Sequence, residues 1–138
     1  LYKVEFMGVE AEIKYDILKD LRFVANYTYI ERNNLTDPTV HFINVPNTKV
    51  FGYVQYQLID QIRVLGSLEH NSSRFSTSYG TNTPDFTLVN TMVSGKIWKD
   101  ISLEAGVNNL FDTNYSLVEG YPEEGRNFFV TLRFFNRD

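Results

Sequence analysis

Apolar and polar residues alternate along most of this chain, and that period of two constrains its fold more than any other feature. In the stretch GVEAEIKYDI the apolar set is Val9, Ala11, Ile13, Tyr15 and Ile17. The residues between them form a polar set that carries four charges. A helix, with 3.6 residues per turn, would mix the two sets, whereas a strand places them on opposite faces. The pattern therefore predicts a β-strand with one apolar face and one charged face.

The same alternation recurs along the chain, with Gly, Pro, Asn and Asp between the alternating runs, where turns need them. We expect strands at about residues 8–17, 21–32, 49–58, 62–71, 86–98, 101–110 and 126–135. No stretch fits a helical pattern well, and 138 residues are enough for one domain. The prediction is an all-β fold, an antiparallel up-and-down meander of about seven strands.

The connections between these strands alternate strictly between short and long. The short ones are LKD, IDQ and KD, and the long ones are Asn33–Pro46, Ser72–Asp85 and Asp112–Glu124. All short turns must then lie at one end of the sheet and all long loops at the other. Bacterial outer-membrane barrels show this asymmetry, with short periplasmic turns and long extracellular loops.

Aromatic residues, 15% of the chain, gather near strand ends. Near the short turns lie Tyr15, Phe23, Tyr56, Trp98 and Phe134, and nearer the long loops lie Tyr27, Tyr29, Phe51 and Tyr53. Two aromatic girdles are what a lipid bilayer favours at its two interfaces. Aromatic residues also favour strands in general, so a soluble β-sandwich or small β-barrel binding module stays open as the alternative.

The membrane interpretation makes a specific prediction about the two faces of the sheet. The residues expected to point to lipid are Val9, Ile13, Ile101, Leu103, Val107, Val130 and Leu132. The residues expected to point to a polar lumen are Glu10, Glu12, Lys14, Arg22, Glu104 and Arg133.

The C-terminal sequence ISLEAGVNNLFDTNYSLVEGYPEEGRNFFVTLRFF resembles the end of TonB-dependent outer-membrane receptors. The matching residues are Asn109, Leu110, Phe111, Asp112, Tyr115, Gly120, Tyr121, Pro122, Gly125 and Arg126. The stretches GVEAEIKYDI, LRFVANYTYI and NVPNTKVFGYVQYQL resemble earlier strands of the same family. The likeness covers nearly the whole chain, and its last 35 residues are the most specific part.

This resemblance implies that residues 1–138 are the C-terminal part of a larger, 22-stranded barrel in the bacterial outer membrane. The plug and the N-terminal barrel strands would lie outside this sequence. The implied partners are outer-membrane lipid, the barrel-assembly machinery and, through the missing plug region, TonB. The implied assembly signal on the last strand is Phe128, Val130, Leu132 and Phe134.

The implied function is TonB-dependent uptake of a small-molecule ligand such as a metal chelate, with a ferric siderophore as the default cargo. The loop residues expected to contact that ligand are His41, Arg74, Tyr79, Tyr115 and Tyr121. Aromatic rings and one cation suit a planar, anionic iron chelate through stacking and charge. For any single residue, packing of the loops against one another is the competing interpretation.

Other chemistry has little support. The chain has no cysteine, and its net charge of -4 gives no basic excess for nucleic acid. The two histidines, His41 and His70, fall in or beside long loops, where a solvated surface histidine is commoner than a metal ligand. We expect no catalytic activity, no cofactor and no resident metal.

Overall fold

The computed structural model describes residues 3–77 and 81–135. Its strands are β1 (Val4–Leu18), β2 (Leu21–Asn34), β3 (Thr48–Ile59), β4 (Ile62–Asn71), β5 (Arg74–Phe75), β6 (Asn82–Thr83), β7 (Phe86–Trp98), β8 (Ile101–Asn108), β9 (Ser116–Val118), β10 (Tyr121–Pro122) and β11 (Asn127–Phe134). Seven of them form one antiparallel sheet of order β1-β2-β3-β4-β7-β8-β11, which confirms the predicted meander. None of the described residues forms a helix long and apolar enough to cross a membrane.

Strand bounds agree with the sequence prediction in the middle of the chain and differ at some ends. β4 and β7 begin and end where predicted. β1 begins earlier, at Val4 rather than Gly8, because its ladder with β2 continues to the pair Val4–Asn34. β8 ends at Asn108 rather than Leu110, because Asn109 takes a left-handed backbone with φ of 54°. The pair β9–β10 lies inside a connection that we expected to be irregular.

The register places every predicted lipid-facing residue on one face of the sheet and every predicted lumen residue on the other. Directly paired residues of neighbouring strands point to the same side, and the pairs continue across the sheet, as in Val64–Val93, Val93–Ala105 and Ala105–Val130. We call this side the apolar face. From the row of Val9 and Tyr29 down to the tight turns, its paired positions carry no Asp, Glu, Lys or Arg.

The apolar face is bare. Ile13 is 59% exposed, Val130 72% and Leu132 65%, and the other described strands form only two-stranded pairs. A soluble β-sandwich would bury such a face against a second sheet. The few buried apolar side chains, Val24, Phe86 and Leu88, lie on the opposite side, which we call the polar face. The exposed surface therefore fits lipid and not a sandwich core.

The aromatic girdle near the tight turns is present, and the second one is only partly so. Tyr15, Phe23, Tyr56, Trp98 and Phe134 all lie on the apolar face beside the turns. At the other end Tyr27 and Tyr29 share that face. The prediction was wrong for Phe51 and Tyr53, because their register with Asn26 and Val24 puts both rings on the polar face.

The three tight turns are built alike. Each strand that enters a turn shifts register by one residue, between Asp16 and Leu18, between Gln57 and Ile59, and between Lys96 and Trp98. Such a bulge bends the strand and increases its twist. The carbonyl of the second turn residue then accepts a hydrogen bond from a neighbouring strand, as from Gln57 N to Asp20 O at 2.9 Å and from Lys96 N to Gln61 O at 3.0 Å. Adjacent hairpins are thus tied together at this end.

Candidate functional site

Three long loops lie at the end of the sheet opposite the tight turns, and we call them the rim loops: the first is residues 35–47, the second 72–85 and the third 109–126. The first loop leaves β2 through an Asx turn, in which Asn34 Oδ1 accepts hydrogen bonds from Thr36 N and Asp37 N. Asp37 Oδ1 then accepts from Thr39 Oγ1 and N. These bonds lower the pKa of the Asp37 carboxyl, since they favour its charged form.

The first and second loops are joined by backbone and ring contacts. Ile43 forms a parallel bridge with Phe75, and Asn44 N donates to Phe75 O at 2.8 Å. The rings of His41 and Phe75 stack with centroids 4.0 Å apart and an interplanar angle of 9°. This stack packs the first loop against the second.

Arg74 is buried between these loops, with 6% of its surface exposed. Its guanidinium donates long hydrogen bonds to Asn71 Oδ1 at 3.4 Å and to Asn44 O at 3.5 Å, and lies 5.7 Å from the centre of the Phe86 ring. Burial lowers the pKa of Arg74, while the charge of Glu69 acts in the opposite direction. The arginine therefore contributes to loop packing through Phe86 more than through ion pairing.

Within residues 3–77 and 81–135, four buried polar atoms near this junction have no hydrogen-bond partner: Asn44 Oδ1, Arg74 Nε, Ser76 Oγ and Thr83 Oγ1. Arg74 and Thr83 are directly paired in the β5–β6 ladder. Thr83 is 2% exposed. Unsatisfied buried groups are rare in proteins and indicate strain, a bound water or a ligand.

The third loop is tied down by the asparagine and aspartate of NNLFD. Asn109 is 4% exposed; its Nδ2 donates to Thr113 O at 2.9 Å and to Glu124 O at 3.4 Å, and its Oδ1 accepts from Thr113 N at 2.8 Å. Asp112 also has positive φ, and its Oδ1 accepts from Arg126 N at 2.9 Å. Both ends of the loop are therefore fastened to each other by side chains.

A side chain at position 125 would disturb these hydrogen bonds. A Cβ at Gly125 would lie 2.5 Å from Asp112 Oδ1, so a larger residue would displace the carboxylate that binds Arg126 N. Arg126 also ties the end of the third loop to its start, because its Nε donates a hydrogen bond to Leu110 O at 2.9 Å.

The third loop packs where the second loop enters β7: the ring of Tyr115 lies 4.7 Å from that of Phe86, the first residue of β7. Burial raises the pKa of the Tyr115 phenol, and the charges of Glu123, Glu69 and Glu124 raise it further. Next to this contact is a pocket of about 220 Å³, lined by residues 82–85, 114–116, 119 and 120.

The structure describes four of the five residues predicted to contact ligand. His41 and Tyr115 are partly buried in the loop contacts, Arg74 is buried, and Tyr121 is 72% exposed. Tyr79 lies outside the described residues. The four do not surround one cavity: of them, only Tyr115 lines the 220 Å³ pocket. Ligand contact by these residues stays a prediction, and the geometry gives His41, Arg74 and Tyr115 packing contacts as well.

Phe75 and Phe86 are the central packing residues of the rim, and sequence reasoning did not single them out. Each is an aromatic residue at the edge of a long loop, and that position was the available clue. The predicted assembly residues Phe128, Val130, Leu132 and Phe134 share the apolar face of β11, each at least 65% exposed. Their recognition by the assembly machinery stays a prediction. Among the described residues, no group of three or more His, Asp or Glu side chains could hold a metal ion.

Residues 3–110 match the family described as TonB dependent receptor-like, beta-barrel. The iron-regulated outer membrane virulence protein of Vibrio cholerae serotype O1 is 23% identical to this chain; the alignment covers 94% of this chain and 21% of that protein. The chain therefore spans about a fifth of the length of this relative.

Solved structures show the same fold. The closed form of the ferric-catecholate import receptor Fiu from E. coli K12 superposes with a TM-score of 0.83 at 21% identity, over 96% of this chain and 21% of that one. The siderophore receptor PiuA from Acinetobacter baumannii gives 0.80 at 18% identity, over 95% and 22%. The copper transporter OprC gives 0.80 at 19% identity, over 95% and 23%.

The family match covers well over half of the chain, and from the row of Val9 and Tyr29 to the tight turns the sheet presents the bare face without Asp, Glu, Lys or Arg that a membrane barrel needs. This chain belongs to the TonB-dependent receptor β-barrel family, and it is a segment of an outer-membrane β-barrel.

Proposed function

We propose that the full-length protein is a TonB-dependent uptake receptor for a ferric siderophore, and that residues 1–138 form the C-terminal part of its barrel. The observation that carries the proposal is the family match over residues 3–110. The names of similar proteins support the cargo, because Fiu is a ferric-catecholate import receptor and PiuA a siderophore receptor. In this proposal the chain binds and admits cargo and catalyses no reaction.

Each part of the segment has a role in the proposed receptor. The apolar face contacts outer-membrane lipid, the polar face lines the lumen, and the apolar residues of β11 are presented to the barrel-assembly machinery. TonB would act on the plug region, outside this chain. The free edges of β1 and β11 must pair with further strands, because unpaired backbone groups are not tolerated in lipid.

Deleting the full-length gene should abolish cellular uptake of radioactive iron supplied as a ferric catecholate under iron starvation. Reintroducing the gene should restore uptake in cells that have TonB and not in cells that lack it, because transport of this type draws its energy through TonB. Unchanged uptake of every iron chelate tested, catecholate and hydroxamate alike, would refute the proposed cargo.

Replacing His41, Arg74, Tyr79, Tyr115 and Tyr121 together with Ala should weaken cell-surface binding of the ferric chelate by about tenfold or more, which corresponds to about 1.4 kcal/mol. Stacking and cation–π contacts of ordinary strength account for a loss of this size. Quantifying the receptor in isolated outer membranes checks that the variant still assembles.

The matched control is a set of five Ala replacements at exposed positions at the tight-turn end. Equal binding by the rim variant and this control, at equal receptor levels, would show that these loops do not bind the ligand.

A further inference from the structure

One row of apolar residues crosses the middle of the polar face. Leu65, Met92, Gly106 and Phe129 are direct partners on the neighbouring strands β4, β7, β8 and β11, and we call this row the apolar strip. Met92 lies at the middle of β7. Leu65, Met92 and Phe129 are half-buried, so each keeps part of its side chain open on the lumen side. The lumen of a membrane barrel is normally polar, and the strip departs from that rule.

The strip is continuous because Phe129 covers the glycine. A Cβ at Gly106 would lie 2.7 Å from two ring carbons of Phe129, so the ring lies directly on the glycine backbone. Val24 and Tyr53, which are paired on β2 and β3, add apolar surface one row nearer to the rim. A contiguous apolar patch that stays partly exposed is typical of a surface that another molecule covers.

The position of the strip limits what can cover it. In the proposed receptor the polar face lines the lumen, so neither lipid nor a neighbouring membrane protein reaches it. Water does not satisfy an apolar surface, and a transported ligand is present only during its passage. The 22-stranded transporter barrels have a plugged lumen, and a plug is a permanent neighbour of the wall. The plug is therefore the occupant that suits a permanent apolar strip.

The polar face is positively charged on the tight-turn side of the strip. Arg63 lies in the next row of the sheet and Lys96 in the row after it, and both are exposed. Among residues 3–77 and 81–135 neither forms an ion pair, whereas Arg133 lies 3.1 Å from Glu104. Within the same residues, Asp60 is the one carboxylate that lines the open cavity of about 430 Å³ beside them. A partner with acidic side chains at this level would be attracted.

We propose that the apolar strip, together with Arg63 and Lys96, is a docking surface for the plug, which presents an apolar segment to the strip and acidic side chains to the two cations. The inference rests on the proposed function, since it takes the polar face as the wall of a plugged lumen. Successive rows are about 7 Å apart along a strand. The acidic groups of the plug should then lie about 7–14 Å from its apolar contact, towards the tight turns.

A photoreactive p-benzoylphenylalanine in place of Met92 tests the contact in the full-length receptor. Irradiation in isolated outer membranes should cross-link this side chain to one plug peptide, which mass spectrometry identifies. The peptide should contain apolar residues with Asp or Glu close by. The same amino acid in place of Val93 is the matched control. It faces lipid on the other side of the sheet and should give no cross-link to the plug.

The two cations have their own test. Arg63→Gln/Lys96→Gln should make amide hydrogen exchange in the cross-linked plug peptide at least fivefold faster at low ionic strength, because the peptide would detach more often. At about 1 M salt the wild type should exchange nearly as fast as the variant, since salt screens exposed charges. Lys19→Gln/Lys99→Gln removes the same charge at the tight turns and should leave the exchange unchanged.

Three outcomes would overturn the inference. The first is that position 92 forms no cross-link, or cross-links only to barrel strands, rim loops or an added ferric chelate. The second is that positions 92 and 93 cross-link to the plug equally. The third is that the two charge-removing double variants exchange alike.

Iron uptake by cells carrying the same receptor separates this inference from the proposed function. Normal uptake without a cross-link from position 92 to the plug would overturn only the docking surface. Absent uptake of every iron chelate, with the cross-link to the plug present, would overturn the proposed cargo and support the docking surface.

Discussion

Val93→Arg should cost about 2–4 kcal/mol of folding free energy when the full-length receptor refolds into lipid vesicles, because the new charge would face the hydrocarbon core. Val93 lies in the middle of the interior strand β7, between Val64 and Ala105 on the apolar face, and is 48% exposed. A urea titration of refolding, followed by the shift of the folded band on a gel, measures the loss.

The matched control is the adjacent residue. Ser94 lies on the polar face, opposite Glu104 on β8 and Arg63 on β4. Ser94→Arg introduces the same side chain at the same depth on the polar side, where Glu104 attracts the new charge and Arg63 repels it, so it should cost about 1 kcal/mol or less. Equal losses for the two variants would contradict the assignment of the apolar face to lipid.

Asn109→Ala should destabilise the rim by about 2–4 kcal/mol, since buried hydrogen-bonding groups would be left without partners. Asn109 makes three side-chain hydrogen bonds, two of them to Thr113 and the third to Glu124 O. Its φ of 54° also suits asparagine better than alanine. Proteolysis of the third loop in the folded receptor should become at least tenfold faster, because that loop would open more often.

The neighbouring asparagine provides the control. Asn108 sits on the polar face and donates one hydrogen bond, to Asn127 Oδ1 at 3.0 Å. Asn108→Ala should cost about 1 kcal/mol or less. Asn109→Gly separates the effect of the left-handed backbone from that of the side-chain hydrogen bonds. Glycine accepts a positive φ without strain and has no amide side chain to make the bonds. If Asn109→Gly behaves as the wild type does, the hydrogen bonds are not what closes the loop.

The NNLFD segment has a structural task at the rim. It ends β8 by turning the backbone left-handed at Asn109 and again at Asp112, and the two side chains then fasten the loop that follows. Short polar side chains that tolerate positive φ and bond nearby backbone groups are the residues suited to this. This explains why a strand near the end of the chain closes with asparagine and aspartate.

The three rim loops form one connected cluster. The first is linked to the second through His41 and Phe75, and the third packs through Tyr115 on Phe86, the first residue of β7 after the second loop. Arg74 packs on Phe86 between these contacts. A ligand that displaces one of these side chains would therefore also move the neighbouring loop. The same residues can then both pack the loops and respond to a bound ligand.

Local pattern determined the strands and their faces. The period of two assigned Val9 and Ile13 to one side and Glu10 and Glu12 to the other, and the alternation of short and long connections placed the tight turns at one end. Both follow from local geometry, because successive side chains of a strand alternate and two-residue turns allow only antiparallel neighbours. Phe51 and Tyr53 were assigned to the second aromatic girdle from their position along the strand alone. Their register with β2 places both rings on the polar face instead.

The arrangement of the rim was decided only by tertiary structure. Arg74 appeared in the sequence as a free loop cation, yet contacts with Asn44, Asn71 and Phe86 bury it. The pocket beside Tyr115 brings together residues of two loops that are separated by a complete hairpin. Loop residues have no periodicity that reports which distant side chain they will meet, so no local pattern predicts such contacts. The sequence by itself determined the wall of the barrel, and long-range packing determined what the loops present above it.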